Sequence, residues 1–178
     1  METHSLICHP DTPAKTVRGI TVTLEPKAHD IWLRFDIEGP PNELLLPHPA
    51  EPARRSGLWQ TTCMEAFAMD SAGGGYCEFN FAPSGEWAAY RFDAYREGMA
   101  DLAFPSGPAI RLNASSDSHL IIEASIPRSA QGQSMALAAV IEEIGGTKSY
   151  WALAHPPGKP DFHHPDCFGL YLPAPENT

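Results

Sequence analysis

Two short segments carry acids and an amide where a strand would normally carry plainer residues. In Leu58-Trp59-Gln60-Thr61-Thr62-Cys63-Met64-Glu65-Ala66-Phe67, an extended chain puts Trp59, Thr61, Cys63, Glu65 and Phe67 on one face. Gln60, Thr62, Met64 and Ala66 take the other face, which is small and apolar enough to be core. In Tyr76-Cys77-Glu78-Phe79-Asn80-Phe81, the core face is Cys77, Phe79 and Phe81, so Tyr76, Glu78 and Asn80 share the opposite one. If the two strands pair, Glu65, Glu78 and Asn80 converge, with Trp59 and Tyr76 toward the ends of the same surface. Trp87, Ala89, Arg91 and Asp93 of a third strand are expected to extend it. A carboxylate in such a place sits on an open concave face or is held by partners, because isolated burial is costly. The chemistry that suits the set is recognition of a sugar. An aromatic ring offers a flat face to the C–H side of a pyranose, and carboxylates and amides bond its hydroxyls in fixed directions. The plainer alternative is a half-exposed sheet, on which polar residues alternate without any ligand.

A second cluster runs from Tyr150 to Phe168 and holds Trp151, His155, Asp161, His163, His164, Asp166 and Cys167 among four prolines. Imidazole, carboxylate and thiolate can bind zinc, but the spacing follows no fixed metal pattern. The favoured reading is a prolyl loop whose histidines, His155 among them, cap turns or line a pocket. Trp151 is either core or a second aromatic wall opposite Trp59. Glu65 and Glu78 could form an acid/base pair for glycoside cleavage, which needs carboxyls about 5–10 Å apart, but nothing in the sequence sets that distance. G-x-S-x-G, H-E-x-x-H and a phosphate-cradling glycine loop are all missing.

The elements that must position these residues read as strands. Period-2 alternation dominates and long 3.6-residue periods are missing. Strands are expected at 20–24, 31–37, 58–69, 76–82, 86–93, 109–114, 120–126, 135–143, 149–154 and 168–172. The prolines of 39–57 block regular pairing and predict a long ordered loop. Ser71-Ala72-Gly73-Gly74-Gly75 predicts a flexible hairpin connection, 95–100 a short helical turn or loop, and 129–134 a loop. About ten strands with regular turns predict a single all-β domain over 1–178, an antiparallel β-sandwich of jelly-roll type.

The chain has 178 residues, enough for one domain to bury a core without a metal or disulfide. Hydrophobic residues at 43% against 19% charged exclude a disordered chain. The net charge of −10, from 12 Lys and Arg against 22 Asp and Glu, argues against nucleic acid or an anionic membrane as partner. A neutral sugar meets no such repulsion. The start lacks a basic and apolar leader, and no apolar run reaches the length of a membrane span, so a cytoplasmic protein is expected. Cys8, Cys63, Cys77 and Cys167 are then most simply thiols, although Cys63 and Cys77 lie on neighbouring strands where a disulfide could form.

The strings LWQTTCMEAF (58–67), YCEFNFAPSGEWAAYRFDAYR (76–96), EASIPR (123–128) and YWALAHPPGKPDFHHPDCFGLYL (150–172) resemble bacterial DOMON-like proteins related to family 9 carbohydrate-binding modules. The resemblance spans about residues 17–173. It implies a β-sandwich that holds a sugar between two tryptophans without catalysing a reaction. Carried over by position, Trp59 is one stacking wall, Glu65 a hydroxyl acceptor, Glu78 and Asn80 the ligand-facing pair of the next strand, and Trp151 the second wall. The family often has a basic residue where Glu78 stands. Family 9 modules also carry calcium, whose acidic loop ligands are not evident here. Other DOMON relatives hold haem between a Met and a His, for which Met64, Met69, Met99, His155, His163 and His164 are the available residues.

Overall fold

The computed structural model describes residues 1–70, 75–105 and 107–175. Among these it is all-β: β1 (Glu2–Cys8), β2 (Gly19–Pro26), β3 (Asp30–Glu38), β4 (Cys63–Asp70), β5 (Tyr76–Phe81), β6 (Trp87–Phe92), β7 (Ala100–Asp101), β8 (Arg111–Ser116), β9 (His119–Pro127), β10 (Gln133–Glu142), β11 (Lys148–Ala152) and β12 (Leu170–Leu172). The strands form one antiparallel path in the order β7-β6-β5-β4-β10-β11-β1-β2-β3-β9-β8, with β12 also on β10. The path is continuous because β1 serves two neighbours. Glu2–Leu6 pair with β2, and Ile7 and Cys8 pair with β11. The observed form is therefore a curled sheet, a half-barrel. Among the described residues no helix is long and apolar enough to cross a membrane.

Alternation drives the curl. Ile20, Val22 and Leu24 of β2, Ile31, Leu33, Phe35 and Ile37 of β3, and Leu120, Ile122 and Ile126 of β9 point to one side. Met64, Ala66, Phe79, Phe81, Leu137, Ala139 and Ile141, from the other end of the path, meet them in one core. Each large side chain sealed here contributes roughly 1.5–3 kcal/mol relative to exposure. The opposite face of β4, β5, β6, β10 and β11 is covered as well. There Cys63, Phe67, Tyr76, Tyr90, Phe92 and Ala138 pack with Phe162 and Cys167 from the segment after β11.

Several expectations change in the structure. Leu58–Gln60 is a single 3-10 turn rather than strand, entered through Gly57 at φ 80°, and β4 begins only at Cys63. Trp59 therefore stands on a turn beside the sheet. Of the short helical turn or loop expected at 95–100, the structure shows the loop, with Ala100 already in β7. A tight turn bridges Ala94 to Glu97, with Arg96 in the left-handed region at φ 57°. The prolyl loop of 39–57 is ordered by a bridge from Leu44 to Glu143 and another from Arg54 to Trp87. Of the expected hairpin connection, Ser71 to Gly74 lie outside the described residues. Gly75 has a clear role: a Cβ there would fall 2.2 Å from the Phe92 carbonyl oxygen. Cys63 and Cys77 carry no disulfide, because Cys77 pairs with Ala68, on the even, inner face of β4. Cys63 lies on the odd face.

Candidate functional site

The odd face of β4 opens into a cavity of about 560 Å³. Its acids come from two adjacent strands. Glu65 stands directly opposite Asn80, and Glu78 directly opposite Phe67, so the two carboxyls are diagonal neighbours on one face. The register continues across β6, where Asn80 faces Ala88, Glu78 faces Tyr90 and Tyr76 faces Phe92. The surface is thus extended by Ala88, Tyr90 and Phe92. Trp87 and Ala89 turn into the inner core instead, and Arg91 takes their parity, because directly opposed residues of an antiparallel pair point the same way.

Trp59, on its turn, lines the cavity and is 52% exposed. Trp151 does not line it. It packs in the inner core at 5% exposed, with its indole N–H donating to Ser149 Oγ at 2.9 Å. The neighbouring Tyr150 has the opposite parity and supplies the wall that Trp151 was expected to supply. His155 also lies away from this cavity. Its Nε2 meets the Ile7 carbonyl oxygen at 2.8 Å, and it lines a separate depression with His9. Sequence reasoning missed Tyr90, Phe92, Tyr150, Arg96 and Phe162, and gave His163 only as one of the loop histidines that cap turns or line a pocket; all six line the cavity. Parity across a known register finds the first three. The last three come from loops, which carry no periodic signal.

The floor is almost dry of protein partners. Glu65 is 3% exposed, and its Oε1 is buried with no hydrogen-bond partner. Glu78 Oε1 accepts from Asn80 Nδ2 at 2.9 Å, while its Oε2 has the imidazole of His163 at 3.7 Å. Asn80 Oδ1 is buried and unpartnered too. Burial pushes the Glu65 carboxyl well above the usual carboxylate range, and the neighbouring Glu78 pushes it further. Glu78 is also raised, by burial, against the pull of Asn80 and Arg96. His163 is held neutral, its pKa lowered to about 4 by burial and by the Arg96 charge.

A chain of contacts fixes that imidazole. The Arg96 backbone N–H donates to Tyr76 Oη at 3.2 Å, and Tyr76 Oη lies 2.7 Å from His163 Nδ1. With the phenol accepting from Arg96, its one proton goes to Nδ1, which leaves Nε2–H facing Glu78. The His163 ring also meets Phe67 and Phe92 edge-on, with centroids 5.1 Å away in each case. The Arg96 guanidinium is committed to Asp161 Oδ1 at 2.7 Å, and Tyr95 Oη bonds the same carboxylate.

Among the described residues no cluster of His, Cys, Asp or Glu is placed to hold a metal ion. Of the residues named for haem, Met64 is sealed in the inner core and His155 lines the other depression, whereas Met99 and His163 line this cavity.

No family model matches the chain, and no curated protein matches it. Among solved structures, it is similar to a Bacteroides uniformis protein provisionally named as carbohydrate-binding. The TM-score is 0.69 at 14% identity, covering 98% of this chain and 87% of that one, which establishes a shared fold.

Proposed function

We propose that this protein binds a small sugar in the cavity between β4, β5 and the 158–163 segment, without catalysing a reaction on it. The observation that carries the reading is Glu65, a buried carboxyl whose Oε1 has no partner and which lines an open, aromatic-walled cavity. An unmet buried polar atom costs about 1–3 kcal/mol, and a ligand hydroxyl removes that cost. Trp59, Tyr90, Tyr150 and Phe162 supply apolar faces for the C–H side of a ring, with Trp59 as the accessible stacking surface. The carbohydrate-binding name of the Bacteroides protein, which shares the fold, supports the same reading. On this proposal the fold is a jelly-roll-like relative of the family 9 modules, and the protein works in the cytoplasm on a soluble sugar.

The test is titration calorimetry against a panel of mono- and disaccharides. At least one should bind, and Trp59→Ala and Glu65→Gln should each weaken it about fivefold or more, since stacking and a buried hydrogen bond are each worth about 1 kcal/mol or more. Trp151→Phe should leave affinity unchanged. A panel with no binder, or a binder indifferent to both cavity substitutions, refutes the proposal. Glycoside turnover abolished by Glu65→Gln, with the fold intact, would make the protein an enzyme instead.

A further inference from the structure

Glu65 Oε1 has no donor at the cavity, and that shortage points to a particular ligand group. Of the two acids that line the cavity, Glu65 has its Oε1 buried without a partner, and Glu78 Oε2 has only a distant imidazole. The protein's own cations meet this need only in part. Arg96 lines the cavity and its charge pulls on both carboxyls, but its guanidinium bonds Asp161; His163 is uncharged, and Lys159 is exposed. The other titratable groups around the pair add no positive charge: Cys63, Tyr76 and Tyr150 are all held in their neutral forms, chiefly by burial. Aromatic residues, Tyr90, Phe92, Tyr150 and Phe162 among them, line the same cavity, and aromatic rings attract organic cations to their faces.

We propose that the ligand carries an ammonium group, received by Glu65 and Glu78, so that the sugar class is an amino sugar. The inference rests on the sugar reading of the same cavity and deepens it. An ammonium offers three donors and a charge, whereas a hydroxyl offers one donor and no charge. Only the former answers two neighbouring carboxyls at once.

Calorimetry at pH 6.5 with glucosamine, glucose, glucuronate and cyclohexylamine tests this on the full chain. Glucosamine should bind about tenfold or more tightly than glucose, the usual gain from a charge-assisted bond. Glucuronate should not bind, and cyclohexylamine should bind weakly. Glu65→Gln and Glu78→Gln, each checked for an unchanged thermal midpoint, should bring the glucosamine-to-glucose ratio close to one. Glucose or glucuronate binding as tightly as glucosamine overturns the ammonium inference and leaves the sugar reading standing. Cyclohexylamine binding with no sugar bound upholds the ammonium site and overturns the sugar reading. Silence from all four overturns the ammonium inference, and the sugar reading then stands or falls on the wider saccharide panel.

Discussion

Replacing Glu65 by methionine should make the ligand-free protein more stable. Glu65 is 3% exposed, its Oε1 has no partner, and its nearest charged neighbour on the floor is another acid. A buried polar group left unmet costs about 1–3 kcal/mol, and an unbranched thioether of similar length removes that cost while still filling the space. The gain is therefore about 1–3 kcal/mol. For a domain of this size each kcal/mol moves the thermal midpoint about 2–4 °C, so the midpoint should rise by about 2–12 °C. Urea unfolding at pH 7 should show a higher midpoint with an unchanged slope. The pH dependence has a definite sign. A carboxyl whose folded pKa is raised stabilises the fold fully below its unfolded pKa of about 4.3, and that contribution is lost as pH rises through the folded value. The advantage of Glu65→Met over the parent should therefore grow from acid toward neutral pH. A variant that loses 1 kcal/mol or more, with an intact fold and no pH trend, would show that Glu65 is a structural residue satisfied in solution.

Three other perturbations follow from contacts in the same molecule. Tyr76→Phe strands the Arg96 N–H and His163 Nδ1 together, and should cost about 1–3 kcal/mol in urea unfolding. His163 should remain neutral in an NMR titration down to pH about 4, and its share of stability should fade as pH drops from about 6.5 toward that value, because the unfolded imidazole takes up its proton first. Glu143 lies buried at the end of β10 and accepts the backbone N–H groups of Lys15, Thr16 and Val17. Burial alone would raise its pKa, but those three donors outweigh it and lower the carboxyl below its ordinary value, so its contribution is present at neutral pH and is lost on acidification through the folded pKa. Glu143→Ala should cost about 3 kcal/mol or more and speed hydrogen exchange at residues 15–17.

The acids and amide on β4 and β5 were legible in the sequence, whereas the aromatic walls on β6 and β11 and the loop residues were not. Alternation alone places Glu65, Glu78 and Asn80 on one face, and the register of β4 with β5 brings them together. The same alternation misassigned β6, because the face of Trp87 depends on which residue opposes Asn80, and pairing register is not written in a single strand's pattern. Trp151 and Tyr150 show the same limit: both are large and aromatic, and only the register with β10 decides which one sees the cavity. Strand β1 escaped notice because Glu2-Thr3-His4-Ser5 is polar and only Leu6 is deeply buried, so its extended form comes from neighbours on both sides rather than from its own side chains. Arg96 and His163 reach the site through a left-handed turn and a prolyl segment, where residue type gives chemistry but not position.

The double allegiance of β1 has a practical consequence. Because its first five residues hydrogen-bond to one half of the sheet and its last two to the other, it acts as a stitch joining two panels. Cutting it away would expose the backbones of β2 and β11 as raw edges open to strands from other molecules. A shortened recombinant protein starting at the first strongly patterned strand, near residue 19, should therefore self-associate, and an affinity tag is better attached at the other terminus.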